Sequence, residues 1–204
     1  RSKFKERVIV LDYHIENDPE TQKFETILNW KNDIHFRKEI LLLAEFYPDI
    51  EFIFRGKNFD WYKNEHYHLT ISKVDKMPNV SVDKDYSKNH WKSYHLCASA
   101  DLIIARPTSI AEECISKGLD VIVYDYGINY TTSVSNFLPK LIRKNYCHNF
   151  EQLKYMFEFW KKHKYVVSKN IKNQIQTEIF SNLTDGKVKK RIQKYLSEIY
   201  EPLK

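Results

Sequence analysis

The stretch "ADLIIARPTSIAEECISKGLDVIVYDYG", residues 100–127, carries the pattern that decides the fold. The apolar run "DLIIA" ends before Arg106, and a second apolar run, "DVIVYDY", begins at Asp120. Between the two runs, "SIAEECISKG" has helical spacing and ends at Gly118, the residue type favoured just past a helix C-terminus. A strand, a helix and a second strand in this order predict a βαβ unit with two parallel strands.

The same alternation extends toward the N-terminus. Three further apolar or β-branched runs predict strands at residues 7–13, 50–54 and 79–83. Helical spacing predicts helices over residues 34–47 and 87–99, whereas residues 56–77 predict a loop with at most one helical turn. Strands that alternate with helices predict a doubly wound, Rossmann-like α/β fold with a sheet of five parallel strands.

The C-terminal third predicts only helix and loop. Its three amphipathic segments are residues 150–163, 170–180 and 188–200. We therefore divide the chain into a parallel α/β core, residues 1–132, and a helical extension, residues 133–204, that packs on the same domain. Phe157 and Trp160 have the spacing of core residues, as do Trp91 and Tyr94 in an earlier helix. The basic run "KVKKR", residues 187–191, is typical of a solvated helix face.

Composition limits the function classes without selecting one. The 204 residues are 42% hydrophobic and 29% charged, which is ordinary for one globular domain. The net charge of +6 fits an anionic ligand, an acidic membrane surface or nucleic acid. No RNA-binding motif or clustered basic patch favours nucleic acid, so we expect no nucleic-acid partner. No apolar run approaches the roughly 18 residues that a membrane span requires.

Cysteine and histidine usage favours neither disulfides nor metal. The three cysteines, Cys97, Cys114 and Cys147, are far apart and odd in number, which argues against a disulfide framework and favours a reducing cytoplasm. His66 and His68 lack a third ligand at a recognisable spacing, so we expect no metal. His14, after the first predicted strand, stays open between a structural role and a place at the edge of a site.

The junction after the fourth predicted strand has two interpretations. Ser109 and Glu112 fit the S-x-x-E capping box, in which the side chains serve only the helix. Alternatively, a helix N-terminus at the carboxyl end of a parallel strand is an anion site. Thr108, Ser109 and Arg106 would then donate hydrogen bonds to a phosphate. Glu113, one helical turn after Ser109, suits a ribose diol rather than a phosphate.

Residues 100–125 resemble the C-terminal lobe of GT-B glycosyltransferases. The shared pattern is an Ala-Asp-strand-Arg opening, small hydroxyl residues, and a glutamate five residues before a Gly. The stretch is also similar to CDP-glycerol glycerophosphotransferases, which have a Ser-Ser pair at the positions of Thr108 and Ser109 and an acidic residue at Glu113. The resemblance implies a nucleotide-diphosphate donor as substrate, with no separate cofactor. The ending "LTDGKVKKRIQKYL" resembles the closing pattern of several capsule and cell-surface transferases.

The resemblance also implies contacts outside this junction. Arg55 and Lys57, in "FRGKN" after the second strand, would touch the donor phosphate. Gly127, Asn129 and Thr131, in "DYGINYTTS" after the fifth strand, would line a sugar or pyrophosphate loop. A solvated polar loop is the alternative in both places. This chain departs from many family members in having Pro107 where they have Gly.

The predicted function is that of the donor-binding lobe of a glycosyltransferase or polyol-phosphate transferase in cell-surface polysaccharide synthesis. Its partners would be a nucleotide-activated donor, a glycan acceptor, and a missing N-terminal lobe or partner subunit that supplies the general base. We therefore expect the chain alone to be inactive and assign no catalytic residue. Peripheral contact with the inner face of the membrane fits the charge. The alternatives are a UDP-sugar 2-epimerase lobe and a non-catalytic nucleotide-binding or protein-interaction module.

Overall fold

The fold is seen in a computed structural model, which describes residues 3–12, 30–56, 60–63, 65–85, 91–106, 108–124, 145–178 and 185–200. The strands in these ranges are β1 (Glu6–Leu11), β2 (Ile50–Arg55), β3 (Val80–Val82), β4 (Leu102–Ala105), β5 (Val121–Tyr124) and β6 (Tyr146–Cys147). The helices are α1 (Trp30–Phe46), α2 (His68–Lys76), α3 (Lys92–Ala98), α4 (Ser109–Ser116), α5 (Phe150–His163), α6 (Lys169–Glu178) and α7 (Val188–Tyr200). Two 3₁₀ turns, Asp60–Lys63 and Glu65–Tyr67, precede α2.

The six strands form one parallel sheet in the order β3-β2-β1-β4-β5-β6. The first strand is central, because Val8 pairs with Phe52 of β2 on one side and with Leu102 of β4 on the other. Every residue of β4 and β5 is buried. Continuous apolar runs of this kind mark parallel strands that are covered on both faces, so the predicted parallel α/β architecture is confirmed.

Helices cover the sheet on two faces. Val8 and Val10 belong to a core that includes α1 and α5, whereas Ile9 and Leu11 belong to a second core that includes α3 and α4. This alternation follows from the two-residue period of a strand. The doubly wound fold predicted from the sequence is thus confirmed, together with a helical tail formed by α6 and α7.

The prediction of helix and loop alone after residue 132 was wrong in one respect. The short strand β6 joins the sheet parallel to β5, with Tyr146 paired to Val123. The following helix, α5, buries Phe157 and Trp160 in the main core, as predicted. Because residues 125–144 lie outside the described ranges, the domain boundary at residue 132 stays a prediction.

Two further local predictions were wrong. Residues 56–77, expected to be mostly loop, contain the 3₁₀ turns and α2, which buries Thr70 and Val74. Trp91 and Tyr94, expected in the core, are 69% and 39% exposed. The third helix buries Cys97 instead.

A buried ion pair joins the end of the central strand to α1. Asp12 follows β1, and its Oδ2 accepts a 2.7 Å hydrogen bond from Nε of Arg37, with neither side chain exposed to solvent. The guanidinium carbon of Arg37 lies 4.3 Å from the ring centroid of Trp61 and 4.8 Å from that of Tyr67. The pair therefore ties β1, α1 and the 3₁₀ turns into one unit.

We predict that Arg37→Met lowers the free energy of unfolding by about 3–5 kcal/mol, because it leaves the Asp12 carboxylate buried without its partner. The matched control is Lys73→Met, which breaks an ion pair to Glu45 whose side chains are 36% and 47% exposed. An exposed pair contributes about 0–1 kcal/mol. Urea unfolding curves measure the loss of unfolding free energy in each variant. Equal losses would contradict the conclusion that the buried pair matters more than the exposed one.

Candidate functional site

The candidate site lies where the sheet order reverses, between β1 and β4. The two strands pair Leu11 with Ala105, and the N–H of Arg106 donates to the carbonyl oxygen of Leu11 at 3.4 Å. From this point α1 covers one face of the sheet and α4 covers the other. The carboxyl ends of β1 and β4 therefore lie at a switch point of the sheet, which is the place where open α/β sheets bind ligands in a crevice.

The start of α4 is capped by Thr108, one residue earlier than expected. Thr108 is extended, with φ −146° and ψ 153°, and its side chain accepts a 3.4 Å hydrogen bond from the N–H of Ala111. Ser109 is therefore the first helical residue, and the predicted Ser109–Glu112 capping box does not form. Thr108 and Ser109 are both favoured N-cap residues, so residue type alone does not determine which of them caps α4. The position at which β4 ends determines it.

The end of α4 agrees with the sequence prediction. Gly118 has φ +77°, its N–H donates to the carbonyl of Ile115, and the N–H of Leu119 donates to the carbonyl of Cys114. These two bonds form a Schellman motif, which requires a residue in the left-handed region. The helix is thus held at both ends, which keeps its N-terminus in place beside the crevice.

Ser109 and Glu113 are both exposed near the start of α4. Tyr94 on α3 lies near Glu113, and interaction with this carboxylate is the main reason that the pKa of Tyr94 is raised. A ribose diol at Glu113 would share the carboxylate with Tyr94 or displace it. The ribose role of Glu113 and the phosphate roles of Thr108 and Ser109 remain predictions.

A second contact between α3 and α4 lies just below this surface. The thiols of Cys97 and Cys114 are buried next to each other, and their interaction together with burial raises the pKa of Cys97. The thiol pair and the Tyr94–Glu113 contact both lie between α3 and α4. The exposed glutamate therefore stands next to α3.

Arg106 is close to the junction but is not a surface side chain. It is 5% exposed, and its guanidinium carbon lies 5.9 Å from the ring centroid of Phe36 on α1. The positive charge therefore lies on the α1 side of the crevice. A donor phosphate contact from Arg106 stays a prediction.

Arg55 lies at the same edge of the sheet as the start of α4, two strands away. It ends β2, and β1 lies between β2 and β4. Its Nε donates to Ser93 at 3.0 Å, and its Nη1 donates to the Asp83 carboxylate at 2.9 Å and to the carbonyl of Asp85 at 2.7 Å. These bonds join β2 to the loop after β3 and to α3. A phosphate contact from Arg55 would come in addition to this structural role.

Several predicted residues lie outside the described ranges. They are His14, Lys57, Pro107, Gly127, Asn129 and Thr131. His68 is exposed, and its Nδ1 lies 2.8 Å from the carbonyl oxygen of Glu65. Within the described part of the chain, no three His, Cys, Asp or Glu side chains are grouped as a metal site. In the same residues, no helix is long and apolar enough to cross a bilayer.

Comparison with known proteins supports the fold. No protein-family model matches the sequence, and no curated protein sequence matches it. Among solved structures, the chain is similar to the C-terminal domain of a glycosyl transferase group 1 family protein from Francisella tularensis, at a TM-score of 0.54 and 12% identity. That match covers 85% of this chain and 86% of the other. The chain therefore has the fold of a GT-B C-terminal lobe.

A second similar structure is the UDP-GlcNAc 2-epimerase of Neisseria meningitidis bound to UDP-GlcNAc, at a TM-score of 0.51 and 16% identity. The match covers 88% of this chain but 45% of the epimerase chain, so this chain spans about half of the epimerase's length. At these identities the comparison establishes the fold, and the resemblance seen in residues 100–125 is confirmed at that level.

Sequence reasoning missed two features of the site. The Asp12–Arg37 pair lies at the carboxyl end of β1, and a charged residue directly after a buried strand was the available signal. Tyr94 was assigned to the core, although its hydroxyl reaches Glu113 from the surface. The spacing of a tyrosine along a helix does not by itself distinguish a core position from a surface position.

We predict that Thr108→Ala lowers the free energy of unfolding by about 0.5–2 kcal/mol, because it removes the cap of α4. Ser109→Ala, one residue away, should change stability by no more than about 0.5 kcal/mol, because a surface side chain is removed. Thermal or urea unfolding distinguishes the two variants. A larger loss of unfolding free energy for Ser109→Ala would indicate that Ser109 caps the helix. That result would contradict the cap at Thr108.

Proposed function

We propose that this chain is the donor-nucleotide-binding lobe of a transferase that uses a nucleotide-activated sugar or polyol. One observation carries the proposal: a capped helix with adjacent hydroxyl residues begins at the switch point of a GT-B C-terminal fold. The helix N-terminus offers free N–H groups and the positive end of its dipole, both suited to a diphosphate. Thr108 and Ser109 add hydroxyl donors at the same place.

The two parts of the nucleotide would bind different parts of α4. The diphosphate would lie over the N-terminus, with Thr108, Ser109 and the Arg106 charge nearby. The ribose would lie one turn further along, where the exposed carboxylate of Glu113 accepts hydrogen bonds from its diol. Tyr94 would hold this carboxylate in position in the absence of ligand. Gly127, Asn129, Thr131, Arg55 and Lys57 complete the proposed donor site.

The reaction we propose is transfer of the sugar or polyol phosphate to a cell-surface glycan acceptor. The helix dipole and the basic side chains would stabilise the leaving diphosphate as its charge develops. The general base and the acceptor site belong to a second lobe or partner subunit in this proposal. The three described cysteines are free thiols, which supports action in a reducing compartment, the cytoplasm.

The epimerase similarity supports a second candidate. The Neisseria meningitidis structure holds UDP-GlcNAc and shares this fold, so a UDP-sugar 2-epimerase lobe would use the same α4 site. The two candidates differ in what the assembled protein does to UDP-GlcNAc without an acceptor. Epimerisation of the free donor favours the epimerase, and acceptor-dependent loss of the donor favours the transferase. A module that only binds nucleotide would do neither.

We predict that the chain binds a nucleoside diphosphate more tightly than the corresponding nucleoside in isothermal titration calorimetry. The diphosphate supplies charge-assisted hydrogen bonds at the start of α4 that the nucleoside lacks. Ser109→Ala should weaken the diphosphate and leave the nucleoside unchanged. Equal affinity for the two ligands would remove the phosphate site from the proposal.

The ribose role predicts a separate effect at Glu113. Hydrogen bonds to a charged group contribute about 1.5–3 kcal/mol, so Glu113→Gln should weaken nucleotide binding roughly tenfold or more. The loss should vanish for a nucleotide that lacks both ribose hydroxyls. Glu112→Gln is the matched control, since Glu112 is the neighbouring carboxylate on the same turn.

A third variant separates the ribose from the Tyr94 contact. Tyr94→Phe removes the hydroxyl that Glu113 now binds, so it should leave nucleotide affinity unchanged or raise it. If Glu113→Gln and Glu112→Gln both stayed within about twofold of the parent, the ribose assignment would be abandoned. A fall in affinity for Tyr94→Phe equal to that of Glu113→Gln would indicate that the pair is structural.

A further inference from the structure

The last described helix, α7, exposes a continuous apolar stripe. Val188, Ile192, Tyr195 and Leu196 are 51%, 52%, 63% and 45% exposed. Their spacing of four, three and one residues places them along one side of the helix, on a sector roughly 100° wide. Isolated exposed apolar residues are ordinary on a protein surface, whereas a stripe of this kind marks a binding surface.

The fifth helix shows how this chain treats an amphipathic helix that packs on its own core. In α5, the apolar side chains Leu153, Phe157 and Trp160 have similar spacing and are fully buried against the sheet. The stripe of α7 has no such cover from the described residues. Four of the eleven large hydrophobic side chains that are exposed in the described structure lie on this one helix.

The polar side of α7 is strongly basic. Residues 187–200 contain the basic residues Lys187, Lys189, Lys190, Arg191 and Lys194 and a single acidic residue, Glu198. On a helical projection Lys189 and Arg191 flank the apolar stripe on its two sides. Long basic side chains at the border of an apolar stripe can extend their charges toward anionic groups while their methylenes stay on the apolar side.

The N-terminus of α7 is stabilised by residues of this chain. Asp185 accepts a 3.0 Å hydrogen bond from the N–H of Lys187 and forms a 3.0 Å ion pair with Arg191. The pKa of Asp185 is lowered mainly by the Lys187 hydrogen bond. Gly186, with φ +77°, makes the turn into the helix. The stripe is therefore presented on an ordered helix.

From these features we propose that α7 is a membrane-surface helix that binds anionic lipid headgroups. It would lie in the plane of the interface, with the apolar stripe between the acyl chains and headgroups and the basic residues against the lipid charges. A second copy of α7 is a poorer occupant, because two such helices would bring their basic residues together. The proposal concerns a surface separate from the nucleotide site and does not depend on it.

The test is co-flotation of the full chain with vesicles. Vesicles of phosphatidylcholine alone are compared with vesicles that also contain phosphatidylglycerol, at about 0.1 M and about 1 M salt, where the Debye length is about 10 Å and about 3 Å. We expect binding to the anionic vesicles at low salt and much weaker binding in the other conditions. Absence of binding to anionic vesicles, or equal binding to both compositions, would overturn the proposal.

A matched pair of variants assigns the binding to the stripe. Ile192→Gln with Tyr195→Gln removes two apolar side chains from α7 without changing charge, and should weaken the partition onto anionic vesicles about tenfold or more. Leu69→Gln with Tyr155→Gln removes an equivalent pair, 66% and 70% exposed, from α2 and α5. This control should bind like the parent, and an equal loss in the control would exclude α7 as the contact.

Charge is tested in the same way. Lys189→Gln should weaken binding, whereas Lys38→Gln, which removes the same charge from α1, should have a much smaller effect. Equal losses would mean that net charge rather than α7 is recognised, which contradicts the proposal.

Two other binding partners of the apolar stripe, another surface of this chain and a second copy of it, would give different results. If the stripe packs on this chain, Ile192→Gln with Tyr195→Gln lowers the melting temperature more than the Leu69–Tyr155 control does. If it packs on a second copy, sedimentation shows an oligomer for the parent chain and a monomer for this variant. Either result would overturn the membrane proposal. The expected result is a monomer with an unchanged melting temperature and reduced binding to vesicles.

Discussion

The ion pair between Asp12 and Arg37 is the constraint on which the other features depend. It sits at the carboxyl end of the central strand, where both charges are removed from solvent and Trp61 and Tyr67 flank the guanidinium. Burial of two charges is costly, and they are tolerated only as a pair with good geometry. The pair therefore fixes α1 against the carboxyl end of β1. That contact places α1 beside the switch point between β1 and β4.

The opposite wall of the crevice is set by α4, and there the same groups serve stability and binding. Thr108 accepts a hydrogen bond that starts the helix, and Glu113 interacts with Tyr94 on α3. A hydroxyl can accept from the helix and still donate to a ligand. A carboxylate oxygen has more than one lone pair and can likewise bind two donors. Structural and ligand roles at this junction are thus compatible, and the residues need not be assigned to only one of them.

Much of the sheet could be predicted from the sequence, because buried parallel strands are short apolar runs separated by helices. The two-residue strand β6 was missed since so short a segment has no periodicity. The helix α2 was missed because it buries only Thr70 and Val74 in an otherwise polar segment. The β4–α4 junction was recognisable from adjacent residues. The bonds from Arg37 to Asp12 and from Tyr94 to Glu113 join distant segments, and local pattern does not reveal them.

The position of β1 has a consequence for how the chain folds during synthesis. The backbone N–H and C=O groups of β1 pair with those of β2 and β4. In addition, the N–H of Arg7 donates to the carboxylate of Asp101, 94 residues further along the chain. The innermost strand is therefore synthesised before both of its neighbours and is completed only after residues near Ala105 have left the ribosome. Until then one apolar edge stays unpaired, which slows folding and exposes the nascent chain to aggregation. A protein with this strand order should depend on chaperones most strongly while the residues between β1 and β4 are being translated.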